Sequence, residues 1–470
     1  MSALSKLFAI KGVKFEKDPP SVGSLYKQSI SIAWPATVEG TMLSIIGSVD
    51  TMMVGSLGYA ALAAVGLAGQ PRMILTVLVQ ALCVGTTAIT ARRKGAQDRD
   101  GANECFRQSM IMVTILGILF GALGYLVAEP FLTLAGANED TLGLSTAYFR
   151  IICLGFPLNC WLMAICAAMR GVGKTRITMT TNVTANLVNV FFNYCLINGN
   201  LGFPALGVEG AAIATVIGTF VATVIAFVFA LKKGEYLQLR LRLGKRFHKE
   251  TFKSLISVGS SSIAESVFLR IGFFVNSRLV AGLGTLPMAV YQVVSQVSGL
   301  SFTVGDGIAA AGTTLVGQNL GAKRKDLAAA HIQVSRGISY ITSGILMVLI
   351  FVFRRELALL FNTDPEVVNG ATAGFLAVII GMVPQNGRVV YSGCLRGAGD
   401  VKFVAFCSLI SVAVFRPVMV WLMCYPLGEV LSVIQIAYTG PWIAFVLDAI
   451  IRDRLMFWRI KTGKWANIRL

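Results

Sequence analysis

Two carboxylates, Glu39 and Asp50, lie inside one apolar run near the amino terminus, residues 26–52. They are eleven residues apart, so on a helix they differ by only about 20° in direction and stand about 16 Å apart along the axis. A charge in hydrocarbon costs at least about 2.5–3.5 kcal/mol on insertion scales. A lipid-facing stripe with two acids is implausible on those terms. The shared face therefore points inward, toward partners or an aqueous cavity, with Glu39 nearer the end of the run. A carboxylate in a dry cavity ionises at a cost, so such a group can take up and release a proton or a metal cation.

A second polar stripe reads TNVTANLVNVFFNY. Asn182, Asn186, Asn189 and Asn193 fall within about 60° of one another on a helical wheel. Four amides on one stripe suit hydrogen bonding to a carboxylate, to water or to an ion; the competing reading is an interhelical polar zipper. Farther along, one run carries Glu265, with Asn276 eleven residues on. Arg270 and Arg278 share that run but point more than about 100° away from Glu265, toward acids on other helices such as Asp306 or Asp448. Arg388 is placed to neutralise Glu265, which would weaken cation binding there. Glu39, Asn182, Asn186, Gln70, Gln296 and Gln385 are the candidate cavity-lining residues.

Other chemistries find little support. The nine cysteines are scattered, mostly within apolar runs, and no CxxC pair occurs; they read as small buried residues. The two histidines, His248 and His331, lie in or beside basic loops, which argues against a histidine-ligated metal site. The clustered Asp or His motifs of a membrane-embedded prenyl or acyl transferase are not found. The expectation is a protein that is not an enzyme and carries no cofactor.

The elements that must hold these groups are membrane spans. The chain of 470 residues is 55% hydrophobic and 14% charged, where soluble proteins carry about 25% charged residues. Its mean hydropathy is +0.71. Twelve apolar runs of spanning length fall near 26–52, 59–90, 108–128, 143–169, 176–197, 208–231, 252–281, 286–317, 332–353, 368–394, 401–424 and 430–451. The net charge of +18 does not point to nucleic acid, because the basic residues sit in short segments between apolar runs. Seven such segments hold 32 of the 41 Lys and Arg residues, and the alternate loops hold only Arg354 and Arg355. Both termini are therefore expected on the cytoplasmic side. Pro35, Pro71, Pro157, Pro384 and Pro417 interrupt runs and mark bends or hinges.

The longest basic connection, 232–253, divides the spans six and six. The expected lobes are residues 1–235 and 236–470. Shifted by 226 residues, the sequence matches itself at Glu39 and Glu265, Gln70 and Gln296, Leu57-Gly58 and Leu283-Gly284, Gly155 and Gly381, and in the RGxG elements at Arg170 and Arg396. Shifted by 227, Gly85-Thr86-Thr87 falls on Gly312-Thr313-Thr314 and Pro157 on Pro384. Six spans per copy make the repeats parallel, related by a pseudo-two-fold axis along the membrane normal. Transporters built this way place substrate at the repeat interface.

Several runs together resemble the multidrug and toxic compound extrusion (MATE) transporters. They are VDTMMVG at 49–55, LAAVG at 62–66, NVFFNY at 189–194, GVEGAAIAT at 207–215, MRGVG at 169–173 and LRGAG at 395–399. The resemblance covers nearly the whole chain. It implies an all-α membrane protein of twelve helices that exports organic, often cationic or lipophilic, compounds by alternating access in exchange for inward H+ or Na+. It places the cation-coupling role on Asp50, Asn189, Asn193 and Glu265, with Na+ near Asp50, Asn189 and Asn193 as one candidate ion. Gln385 stands where sodium-coupled relatives carry an aspartate, and Asn193 where some proton-coupled relatives do. Both departures leave the coupling ion open. The implied partners are small organic substrates and membrane lipids, with no nucleic acid, for a monomer in the inner membrane of a bacterium. The alternative is a flippase for a lipid-linked precursor, a role in the same superfamily.

Overall fold

A computed structural model describes residues 13, 15–16, 20–239, 248–425 and 434–468. Twelve long helices run through these residues, with no strand among them. They are α1 (Val22–Gly55), α2 (Tyr59–Gly95), α3 (Arg99–Leu126), α4 (Glu139–Gly171), α5 (Thr175–Asn198) and α6 (Gly207–Leu231). The second set is α7 (Lys249–Ala281), α8 (Thr285–Gly321), α9 (Lys325–Val352), α10 (Pro365–Gly397), α11 (Val401–Cys424) and α12 (Ile434–Lys461). All twelve expected spans are present. The start of the last one, 430–433, lies outside the described residues.

By length and composition nine of the twelve are apolar enough to cross a membrane. The exceptions, α5, α8 and α12, carry the asparagine stripe, Asp306, and the run Arg452, Asp453 and Arg454. α5 packs on α6, and both α8 and α12 pack on α10. Elsewhere large apolar side chains point outward, such as Ile115, Leu126 and Val228, as expected of a surface solvated by lipid.

Helix ends follow their sequence signals. Asp98 caps α3 by accepting from the Gly101 amide at 2.8 Å, and Asp364 caps α10 through the Glu366 amide at 2.8 Å. α11 changes to π-helical winding over Leu409–Phe415 and resumes as an α-helix at Arg416.

The chain forms two compact units, one of Val38–Ser260 and one of Met1–Thr37 with Ser261–Leu470. These bounds differ from a break at 235/236, because the first half of α1 packs with the second unit. Ser29 Oγ lies 3.2 Å from His331 Nδ1. Thr37 lies so close to Gly307 that a Cβ there would come within 2.1 Å of its hydroxyl. His331, expected in or beside a loop, is a buried core residue of α9.

The repeat has a physical basis inside each unit. Gly58 and Gly284 turn the chain at φ 109° and 116°, and Gly173 and Gly399 at 84° and 85°; side chains rarely tolerate these angles. Gln97 and Lys323 share φ values of 57° and 59°. Thr87 Oγ1 donates to the Ala167 carbonyl at 3.0 Å, and Thr313 Oγ1 to the Gly393 carbonyl at 2.8 Å. Every one of these pairs is separated by 226 residues. The structural register of the GTT elements is therefore 226, not the 227 that identity matching suggests: Thr87 corresponds to Thr313.

Candidate functional site

Within the first unit, α1, α2, α4, α5 and α6 enclose a cavity of about 290 Å³. Asp50 and Arg72 line it, together with Asn182, Asn186 and Asn189 from α5 and Thr215 and Thr219 from α6. Asp50 is half-buried. Its Oδ1 accepts a close hydrogen bond from Asn193 Nδ2, and the same amide nitrogen lies 3.4 Å from Asn189 Oδ1. Asn189 in turn donates to Thr215 Oγ1 at 3.2 Å. The amide stripe thus forms a chain from carboxylate to hydroxyl. Asn193 is fully buried, and its Oδ1 has no hydrogen-bond partner. A buried acceptor left unsatisfied is costly, and this one can be satisfied by a cation or an ordered water.

The α5 stripe splits in two. Asn182 Nδ2 donates to Glu39 Oε1 at 2.6 Å, and Asn186 Nδ2 turns back to the Asn182 carbonyl at 2.7 Å. Glu39 also accepts from Thr178 Oγ1 at 2.9 Å and pairs with Arg170 at 3.4 Å. It is buried and does not line the cavity, so the structure separates it from Asp50 despite their common helix face.

In the second unit Glu265 keeps an arginine partner, as Glu39 does in the first, but among the described residues it lacks the threonine and asparagine that serve Glu39. It pairs with Arg396 at 2.6 Å. Glu39 with Arg170 and Glu265 with Arg396 are one ion pair, repeated at an offset of 226 residues. This overturns the assignment of Arg388 to Glu265: Arg388 donates through Nε to Gln385 Oε1 at 2.7 Å. Asp448 likewise pairs with Arg416 and with Arg452 (2.9 Å), not with Arg270 or Arg278. Gln70 and Gln296 are exposed, and Gln385 is buried against Arg388. Asn276, at the position of Asp50, is buried with neither amide atom hydrogen-bonded.

Sequence reasoning missed Arg72, Thr215, Thr219 and Asn159 of this cavity. A signal existed for Arg72, an ionisable residue beside Pro71 inside an apolar run. The threonines carried none, because Thr in a span commonly bonds its own helix, as Thr219 does to the Thr215 carbonyl at 2.8 Å. Among the described residues no group of three or more His, Cys, Asp or Glu is placed to hold a metal ion.

Twelve spans in two internally similar units, with a half-buried acid in a polar cavity, define a secondary-transporter architecture. The profile of the MatE family matches residues 35–195 and 262–422, once in each copy of the repeat. The chain belongs to the MatE family. It is 28% identical to the probable multidrug resistance protein NorM of Thermotoga maritima over 94% of each chain. It is 26% identical to the uncharacterized transporter YisQ of Bacillus subtilis over 98% of each. A multidrug resistance MATE family transporter of the MOP superfamily, solved in an outward-facing conformation, superposes with a TM-score of 0.86 at 21% identity, covering 95% of this chain and 98% of that one. A MOP superfamily transporter from Pyrococcus furiosus, described as having a binding pocket of reverse polarity, superposes with a TM-score of 0.85 at 21% identity over the same shares. Likeness at that identity establishes the fold alone, because one fold hosts pockets of different chemistry.

Proposed function

We propose that this protein is a multidrug exporter of the bacterial plasma membrane that exchanges organic, cationic or lipophilic compounds for an inward-moving H+ or Na+ by alternating access. The observation that carries the reading is the Asp50–Asn193–Asn189 cluster opening on the internal cavity. Its relatives named as multidrug resistance proteins support it over nearly full length. Both termini face the cytoplasm in this reading, and one chain is the working unit.

The chemistry rests on neutralisation. Asp50 shares its cavity with Arg72, and its carboxylate form carries the charge that attracts a cation. A proton on Asp50, or Na+ held by Asp50 and the Asn193 and Asn189 carbonyl oxygens, removes its charge. A cationic substrate held by that charge then loses its attraction and leaves. Eight of the thirteen residues that line the cavity are polar, so a substrate meets hydrogen-bonding groups beside the apolar Leu43, Ile46 and Leu162. Glu39 and Glu265, already held by Arg170 and Arg396, serve here to brace their helices; of the two, Glu265 remains the second coupling candidate.

The test is efflux of a cationic dye from proteoliposomes under separately imposed Na+ and pH gradients. One of the two gradients should drive accumulation. Asp50→Asn should abolish the driven component while the purified protein keeps its helicity and elution volume. Undiminished driven efflux from that variant would remove Asp50 from the mechanism.

A further inference from the structure

A second cavity, of about 320 Å³, lies in the other unit between α9, α10 and α12. Its floor is an ion pair: Arg336 Nη2 stands 3.0 Å from Asp453 Oδ1 and 3.1 Å from Oδ2. The guanidinium also donates through Nη1 to the Val383 carbonyl at 3.3 Å, leaving Nε without an acceptor. It lies over two tyrosine rings, 4.5 Å from the centroid of Tyr340 and 5.0 Å from that of Tyr391. Gly387 permits this approach, because a Cβ there would fall 1.1 Å from Nη1. The rim adds a second cation, the exposed Arg454. Two guanidiniums thus face one carboxylate.

The rest of the rim is apolar and turned outward. Ile380 is 68% exposed, Phe457 45% and Tyr340 43%. In a chain that spans a membrane, such residues meet acyl chains. Its two arginines lie in the half of the helices that holds the start of α9 and the end of α12. Arg336 lies about 16 Å into α9, and Arg454 about 10 Å before the end of α12. That end is the basic one, flanked by Lys323, Arg324 and Lys325 and by Arg459, Lys461 and Lys464. Basic pockets between spans on that side suit anionic lipid headgroups. Ile380 adds a further group: Pro384 has no amide proton to return to the Ile380 carbonyl. Both residues line the cavity, so that carbonyl can accept from a headgroup hydroxyl.

We propose that this crevice is a binding site for an anionic phospholipid whose headgroup carries a hydroxyl, of the phosphatidylglycerol class. The phosphodiester meets Arg454 and the Arg336 guanidinium, the glycerol hydroxyl meets the backbone opened at Pro384, and the acyl chains run along Ile380 and Phe457. The site is independent of the Asp50 cavity.

The experiment is native mass spectrometry of the delipidated full-length protein in detergent, titrated with phosphatidylglycerol and, separately, with phosphatidylcholine of the same acyl chains. The wild type should retain phosphatidylglycerol in preference. Arg454→Gln should weaken that retention by about fivefold, the effect of one basic side chain near an anionic lipid. Asp453→Asn removes the competing acid and should strengthen it, so the two variants move in opposite directions. General misfolding would lower both. Equal retention of the two lipids by the wild type, or variants that match it, overturns the proposal. Displacement of the lipid by inorganic phosphate or glycerol 3-phosphate at equal concentration also overturns it, by assigning the site to a soluble anion.

Discussion

Asp50 and Glu39 share a helix face and a charge, yet they have different neighbours. Glu39 accepts from a threonine, an asparagine and an arginine, while Asp50 has one amide and an open cavity. A fully partnered carboxylate holds structure; a partly partnered one is available for exchange. Two expectations belong at this scale. Removing Glu39 or Glu265 should destabilise the fold, because Arg170 and Arg396 would lose their acids. Those arginines are 29% and 28% exposed, so each coupling should fall below the roughly 3–5 kcal/mol of a fully buried pair, at about 1–2 kcal/mol. Double-mutant cycles of Glu39→Gln with Arg170→Gln, and of Glu265→Gln with Arg396→Gln, read by unfolding in detergent, measure it. A zero coupling in either cycle would show that the ion pair is incidental. The second expectation concerns Asn193→Leu, which keeps volume but removes the amide beside Asp50. It should lower gradient-driven efflux at least about tenfold, or about 1.4 kcal/mol of barrier, and leave expression unchanged. Efflux at the wild-type level would rule out a role for that amide.

At the scale of elements, the RGxG repeat is a close helix crossing. A Cβ on Gly171 would come within 2.7 Å of the Thr87 carbonyl oxygen, and one on Gly397 within 2.2 Å of the Thr313 carbonyl oxygen. Gly171→Ala and Gly397→Ala should each cost about 1–3 kcal/mol, whereas Gly344→Ala meets open space and should be neutral. Thermal unfolding of the three variants checks this; an equal loss at Gly344 would mean that helix flexibility, not contact, sets the effect. The connection after α6 is also docked rather than loose. Lys174 bonds the Glu235 carboxylate, Lys94 stands 3.6 Å over the Tyr236 ring, and the Gln238 amide donates to Asn103 Oδ1 at 2.6 Å. The Lys174 hydrogen bond holds the Glu235 carboxyl below its usual value. A lowered carboxyl stabilises the folded form above its unfolded value and loses that effect only as the pH falls through the lowered one. Amide exchange across 232–239 should therefore be equally protected at pH 7 and pH 5, and Glu235→Gln should reduce protection at both. Protection that fades between pH 7 and pH 5 in the wild type would contradict the assignment.

At the scale of the whole molecule, the chain should transport as one copy. Nanodiscs holding a single chain should bind a cationic dye with the affinity of the bulk protein, and a loss of binding on isolation would point to an obligate oligomer. Much of this organisation was legible in the residues. Twelve spans follow from hydropathy, because a backbone in lipid must satisfy its own hydrogen bonds. The two-copy plan follows from landmarks held at one offset, and the first candidate acid from the cost of a charge in hydrocarbon. Pairing was not legible, because which arginine meets which acid depends on helix crossings between segments far apart in sequence. Arg396 and Arg416 therefore displaced the partners expected for Glu265 and Asp448. The register of the threonine elements moved by one residue for a related reason: hydrogen bonds to a facing helix, not residue identity, fix which threonine is equivalent. The division of α1 between the two units was likewise decided by tertiary contact, since a continuous helix carries no mark in its sequence of where its packing partner changes.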